Sequence, residues 1–228
     1  MKTKIIEFAT ALEFINLPKP ARAYIPEWYR KAEKFIKDKP FIGNGGNKTV
    51  KNCIPFLDAY TSGYIAELWQ DILVTKTSEG LHIDWNLEPN VAGTRPSLIT
   101  PGMPISNEYD EQHFIWHFPF YFRTPPGYSV LVTHPFNRLE LPFTTLTGVV
   151  DADMVVSKGN LPFFLKKDFE GIIPMGTPIA QFLPFKREDW KTQESKDIIE
   201  LGKIQNFFSM RVIYGYYKKN VWAKKNYN

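Results

Sequence analysis

From Leu73 to Phe185 the apolar residues fall in short runs rich in Val, Ile and Phe, divided by Pro, Gly, Asn and Asp. That spacing predicts brief strands joined by tight turns. Val74–Thr77 and Leu81–Trp85 alternate as the arms of a hairpin, with Ser78-Glu79-Gly80 as its turn. Phe114–Phe122 predicts an aromatic-rich strand, and Thr124–Phe185 carries the densest succession of strand and turn signals. The flanks have another rhythm. Lys4–Phe8 opens as a short strand, while Glu27–Lys37 puts Trp28, Ala32 and Phe35 on one face of a helix entered through Pro26. Ile198, Leu201, Ile204, Phe208 and Val212 share a face of a second helix over Glu194–Tyr217. Between these, Cys53–Val74 is interrupted by Pro55 and Gly63, which predicts a short helix or turn and then a strand entered near Tyr64. Residues 86–109 read as a long loop.

These elements predict a mainly β (α+β) chain forming a single domain over 1–228. Its parts are an N-terminal helical and loop extension at 1–50, a core of short, mostly antiparallel strands at 73–185, and a C-terminal helix with a basic tail at 186–228. The helices are expected to pack on the core. With 43% hydrophobic residues among 228 an ordinary core is available, and 15% aromatics with 18 prolines suit short strands and structured turns better than long helices.

The formal charge of +4 comes largely from lysines near the two ends and reads as a solvated surface. Cys53 is alone, so neither an intrachain disulfide nor a cysteine-based zinc site is expected, and a reducing compartment fits. No apolar run approaches the roughly 20 residues needed to span a bilayer, and the first residues lack the apolar stretch of a secretion signal. The expectation is a protein with no membrane partner, not secreted, in the cytoplasm of a host cell or in a virion. Gly43–Asn47 is glycine-rich but lacks the Gly-Lys-Ser/Thr ending of a phosphate loop, and reads as a surface loop.

Three constellations carry candidate chemistry. His82 and Asp84 stand two apart on a predicted strand, hence on one face, and with His134 they have the composition of a two-histidine, one-carboxylate iron site, with Arg138 downstream for an acidic cosubstrate. Iron enters only if those three meet. His113 and His117 have zinc-helix spacing, but on a strand they would stand about 13 Å apart. Asp151 and Asp153 follow an apolar run at a strand end, where two carboxylates orient a water or hold a metal, or else cap a turn. No serine sits in a nucleophile-elbow pattern.

The order Pro126-Gly127-Tyr128, an Asn137-Arg138 turn, Gly148-Val149-Val150-Asp151-Ala152-Asp153, and Gly176 with Ile179-Ala180-Gln181 resembles the β-clip core of the dUTPase and dCTP deaminase superfamily. The resemblance covers about sixty residues and implies a β-clip-like core. It implies Asp151 as the water-activating carboxylate beside Asp153, Asn137, Arg138 and Tyr128 as ligand contacts, and magnesium if the protein acts on nucleotides. The sequence departs from that pattern where Met154 replaces the deoxyribose-discriminating tyrosine and where His134-Pro135-Phe136 replaces an Arg-Ser-Gly segment. No glycine-rich closing loop is present at the C-terminus.

Over most of its length, including LPKPARAYIPEWYRKAEKF and GTPIAQFLPFKREDWK, the chain also resembles a family encoded by tailed phages and marine bacteria, which implies a phage-related setting and no set activity. The reading that follows is a non-enzymatic binding or structural protein, forming homo-oligomers and meeting a phage or host protein. A nucleotide-binding or nucleotide-hydrolysing protein is the alternative, and an iron oxygenase the third.

Overall fold

The computed structural model describes residues 3–37, 47–96, 100–156, 158–207 and 216–228. They fall into two compact units, one made of Met1–Ala21, Gly63–Arg187 and Asn228, the other of Arg22–Ser62 and Glu188–Tyr227. The first holds the strands. The mainly β, mostly antiparallel architecture predicted from the apolar pattern is what the chain forms. No helix among the described residues is long and apolar enough to cross a membrane.

The largest sheet has five strands and is centred on β14 (Pro178–Lys186), with β9 (Tyr128–Thr133) and β11 (Gly148–Val150) on one side and β3 (Tyr64–Glu67) and β2 (Lys19–Pro20) on the other. A four-stranded sheet runs β10 (Phe143–Thr145), β12 (Asn160–Leu165), β7 (His113–His117) and β6 (Ala92–Arg95). The predicted hairpin forms as β4 (Ile72–Thr77) and β5 (Gly80–Asp84), to which β13 (Gly171–Ile173) adds a third strand. On both arms burial follows the period of two, with Ile72, Val74, Leu81 and Ile83 inside. The opening strand is β1 (Glu7–Ala9), paired with β8 (Tyr121–Arg123) and tied across the register by the Arg123–Glu7 ion pair at 2.7 Å.

One apolar core joins these sheets. Trp116 stacks on Phe163 at 3.6 Å between ring centroids, and Phe143 meets it edge-on at 5.1 Å. Burying each such ring contributes about 1.5–3 kcal/mol. The Trp116 indole N–H donates to Thr145 Oγ1 at 3.0 Å, and that hydroxyl donates on to the Ile179 carbonyl at 2.7 Å, so the polar atoms in this aromatic layer are satisfied. Where β3 begins, Gly63 has φ +74, and a Cβ there would stand 2.1 Å from the Phe182 carbonyl oxygen. Only glycine fits that approach.

Several expectations are corrected. Phe114–Phe122 is two strands and not one, because the chain leaves the sheet at Phe118-Pro119, where proline has no N–H to give a ladder. The expected loop at 86–109 contains β6, whose Gly93 leaves room for the His117 ring. A Cβ on Gly93 would come within 2.8 Å of that ring. In the second unit, α1 (Glu27–Lys31) stops short of Lys37 because Ala32 leaves helical geometry. Residues beyond it pair with another segment instead, Ile36 N–H with Asn47 O at 2.7 Å and Thr49 N–H with Lys34 O at 3.0 Å. The buried residue of α1 is Tyr29, clustered with Phe56 and Tyr60, whereas Trp28 and Phe35 are exposed.

The helix expected after Cys53 is α2 (Ile54–Thr61), with Pro55 in its first turn. The C-terminal helix is α3 (Asp197–Phe207), shorter at its start than expected, and Ile198, Leu201 and Ile204 on it are exposed. Phe208 and Val212 of its expected face, and Gly43–Gly46 of the glycine-rich loop, lie outside the described residues.

Candidate functional site

Three strand ends converge at one end of the five-stranded sheet. Val150 of β11 pairs with Val130 of β9, so the next residue, Asp151, arrives opposite Ser129. On the other side Lys186 of β14 pairs with Tyr128, and Arg187 continues the ladder by donating its N–H to Gly127 O at 2.9 Å. Asp153 lies two residues past Asp151 in a turn closed by Met154 N–H to Asp151 O at 3.1 Å. Register alone therefore gathers two carboxylates, a hydroxyl and a guanidinium.

Their side chains form one network. Arg187 Nη1 donates to Asp153 Oδ1 at 2.8 Å while Nη2 donates to Asp153 Oδ2, the fork geometry that guanidinium and carboxylate share. Nη1 also reaches Ser129 Oγ at 3.1 Å and Asp151 Oδ1 at 3.3 Å. The Ser129 hydroxyl donates to Asp151 Oδ1 at 2.6 Å. Gly127 N–H donates to Asp153 Oδ2 at 2.7 Å, and Thr124 closes the same loop by donating its hydroxyl to Tyr128 O at 2.7 Å.

The two aspartates differ in exposure. The Asp153 side chain is 3% exposed and that of Asp151 is 59% exposed. Hydrogen bonding from Arg187, with help from the Gly127 amide, holds the Asp153 carboxyl down to about 2 against the opposing effect of desolvation. The same pairing, chiefly with Asp153, pushes Arg187 up.

Of the ligand candidates, Tyr128 reaches this end of the sheet, but strand alternation sends its side chain to the face opposite Ser129. Lys4 Nζ lies 5.6 Å from its ring centroid. Asn137 and Arg138 follow the far end of β9, which is about 13 Å along the strand from Ser129. There Asn137 takes φ 57, Phe136 N–H donates to Gln181 Oε1 at 2.9 Å, and Arg138 ion-pairs with Glu140. The aspartates and the Asn137-Arg138 turn are not brought together.

His134 belongs to that distant turn. Its Nδ1 accepts the Thr145 N–H at 3.2 Å, so its Nε2 carries the hydrogen and donates to Arg138 O at 3.2 Å. Burial pushes its pKa down, which suits a ring that must stay neutral to accept from Thr145. His82 and Asp84 are on the solvent face of β5, 3.2 Å apart, both exposed. No three His, Cys, Asp or Glu side chains gather as metal ligands among the described residues, and His82, Asp84 and His134 do not converge. His113 and His117 sit four apart on β7, His113 stacked on Phe164 and His117 bonded to Asn160 Oδ1 at 3.0 Å.

Sequence reasoning missed Arg187 and Ser129. The signal was present in the register, since counting antiparallel partners out from Gln181–Thr133 places Arg187 beside Gly127.

No protein-family model matches the chain, and no curated protein matches it. Its structure is similar to those of phage dUTPases. A mutant of the Staphylococcus bacteriophage 80alpha dUTPase, described with dUpNHpp, aligns over 85% of this chain and 98% of its own at 12% identity and a TM-score of 0.37. The dUTPase from phage phi11 of S. aureus aligns over 84% and 96% at 10% identity and a TM-score of 0.37. A mutant of the phi11 enzyme, described with a structural Mg(II) ion, aligns over 84% and 97% at 12% identity and a TM-score of 0.37. These are likenesses of structure at low identity, and no activity follows from them.

Proposed function

We propose that this chain is a binding or structural protein, phage-associated and self-associating, in which the two strand-end aspartates serve the fold and not a hydrolytic reaction. The observation that carries this reading is the forked Arg187–Asp153 pair. A general base works best with a proton affinity near the working pH. Asp153, held to about 2 and nearly covered, is far from that condition. Arg187, the cation nearest the aspartates, is already engaged by both, so a phosphate chain arriving here meets two carboxylates and a guanidinium whose charge is spent.

A second feature supports association. On the edge strand β11 and in the segment that follows it, the side chains of Val149, Met154, Val155 and Val156 are all more than half exposed. Contiguous apolar side chains at an edge are where protein partners or a second copy dock. A virion or the cytoplasm of a host cell suits such a role.

One observation favours the nucleotide-acting alternative. The Asp151 carboxylate is exposed and oriented by Ser129, a position from which it could hold a magnesium ion.

The deciding experiment is a thermal-shift screen against nucleoside triphosphates with magnesium, run beside light scattering for the assembled mass. The proposal expects no nucleotide-dependent stabilisation and a mass above that of one chain, reduced by Val155→Asp. A nucleotide-dependent rise in melting temperature that disappears in Asp151→Asn overturns it.

A further inference from the structure

An open cleft of about 1210 Å³ lies within the β-rich unit, between the tip of the β4–β5 hairpin, the end of β6 and the chain from Thr100 to Gln112. Its walls carry three carboxylates, on Glu79, Asp110 and Glu111, and two cations, on Arg95 and Lys167. Among the described residues none of these five side chains is in an ion pair. Opposite charges that share a cleft without neutralising one another keep their hydrogen-bonding capacity for a guest. Asp110 is held in place by the Gln112 N–H on its Oδ1 at 2.7 Å.

A second observation comes from the floor of the sheet. His113 is 2% exposed, and among the described residues neither of its ring nitrogens has a hydrogen-bond partner. It is the cross-strand partner of Arg95, so the two side chains share a face of the sheet. Arg95 therefore reaches the cleft from the face of the sheet that also carries this buried ring.

The class of guest follows from elimination. A polyphosphate would face three carboxylates, and a divalent cation would find no three-ligand group among the described residues. An apolar ligand would need an apolar slot, whereas acids, amides and hydroxyls here alternate with Met103, Ile105 and Tyr109. A polyhydroxylated ligand matches both sets of groups, because each hydroxyl donates once and accepts twice. Carboxylate oxygens take its donors, guanidinium and ammonium groups serve its acceptors, and the Tyr109 ring offers a flat surface for its C–H face.

We propose that this cleft binds carbohydrate, with Glu79, Asp110, Arg95 and Lys167 as the direct contacts. The assignment rests on the reading of the chain as a binding protein and names the chemistry of one partner, a glycan. The test is saturation-transfer NMR on the full chain with a panel of neutral and uronic-acid-containing oligosaccharides. Transfer to at least one of them is expected. Asp110→Asn and Arg95→Ala should each weaken its binding about tenfold or more, with melting temperature unchanged. Glu170→Gln, away from the cleft, should leave it as it was. Preference for the acidic sugars assigns Arg95 and Lys167 to a sugar carboxylate; equal binding assigns them to hydroxyls. No transfer to any sugar, or binding that survives both cleft variants, overturns the assignment. A nucleotide-dependent stabilisation lost in Asp151→Asn overturns instead the binding-protein reading on which it rests, so the two failures are told apart.

Discussion

Arg187 and Asp153 are 34 residues apart in sequence and meet as a two-pronged ion pair, Nη1 on Oδ1 at 2.8 Å and Nη2 on Oδ2. Because Arg187 follows β14 and Asp153 follows β11, the pair closes the end of the sheet across β9, the strand that lies between those two. Arg187→Ala is expected to lower the melting temperature, and Arg187→Lys to restore it only in part, since an ammonium cannot reproduce the fork. In a double-mutant cycle with Asp153→Asn the two losses should be clearly less than additive.

Acid should expose the same pair. The Asp153 carboxyl is held down to about 2 in the folded chain, below the roughly 3.9 of an unfolded aspartate. A depressed carboxylate stabilises the fold above its unfolded pKa and loses that contribution as pH falls through the folded one. Melting temperature followed from about pH 5 toward pH 2 should therefore fall, and Asp153→Asn should flatten that part of the curve.

His134 gives a second, separate pH window. Burial lowers its folded pKa, so below about 6.5 the unfolded chain takes up a proton that the folded chain refuses. Stability should decline as pH drops below that point until the folded ring itself protonates and the Thr145 N–H loses its acceptor. His134→Gln should show a shallower decline when denaturant midpoints are compared between about pH 7 and pH 5.

Thr145→Val keeps the volume of the side chain and removes both of its hydrogen bonds, orphaning the Trp116 indole N–H and the Ile179 carbonyl. Each buried group left unsatisfied costs about 1–3 kcal/mol, and urea unfolding should show a loss of that order or twice it, with Thr145→Ser close to the parent.

Gly63→Ala meets two obstacles at once, a positive φ and the Phe182 carbonyl oxygen 2.1 Å from the new Cβ. A cost of about 2–4 kcal/mol is expected from denaturant midpoints, or failure to accumulate as folded protein.

What could be read from the chain depended on whether local pattern or distant pairing decides each element. The β4–β5 hairpin was legible because alternation and a glycine turn specify it within fifteen residues. The strand around Ile179-Ala180-Gln181 was legible through its resemblance to a known core. By contrast, the residues after Ala32 have a helical apolar pattern yet pair with Asn47 and Thr49, a tertiary choice that propensity does not register. β6 hid behind its glycine and the prolines around it. At the candidate site the aspartates stood out as chemistry, while the arginine that occupies them lay in what read as the exit from the sheet. Asp151, Asp153 and the Asn137-Arg138 turn looked like one site because they share a resemblance, but β9 holds them at its opposite ends.

The clasp at the end of β14 also has a mechanical consequence. Glu188 begins the segment that leaves the β-rich unit, and the residue just before it is the one anchored to two aspartates and a serine. Tension applied to the chain at Glu188 would be met first at Arg187. Peeling β14 from β9 and β3, starting at that end, would have to break those side-chain contacts before the ladder opens. Arg187 is in that sense a strain relief, and pulling on single molecules through a handle attached at Glu188 should find its alanine variant yielding at lower force.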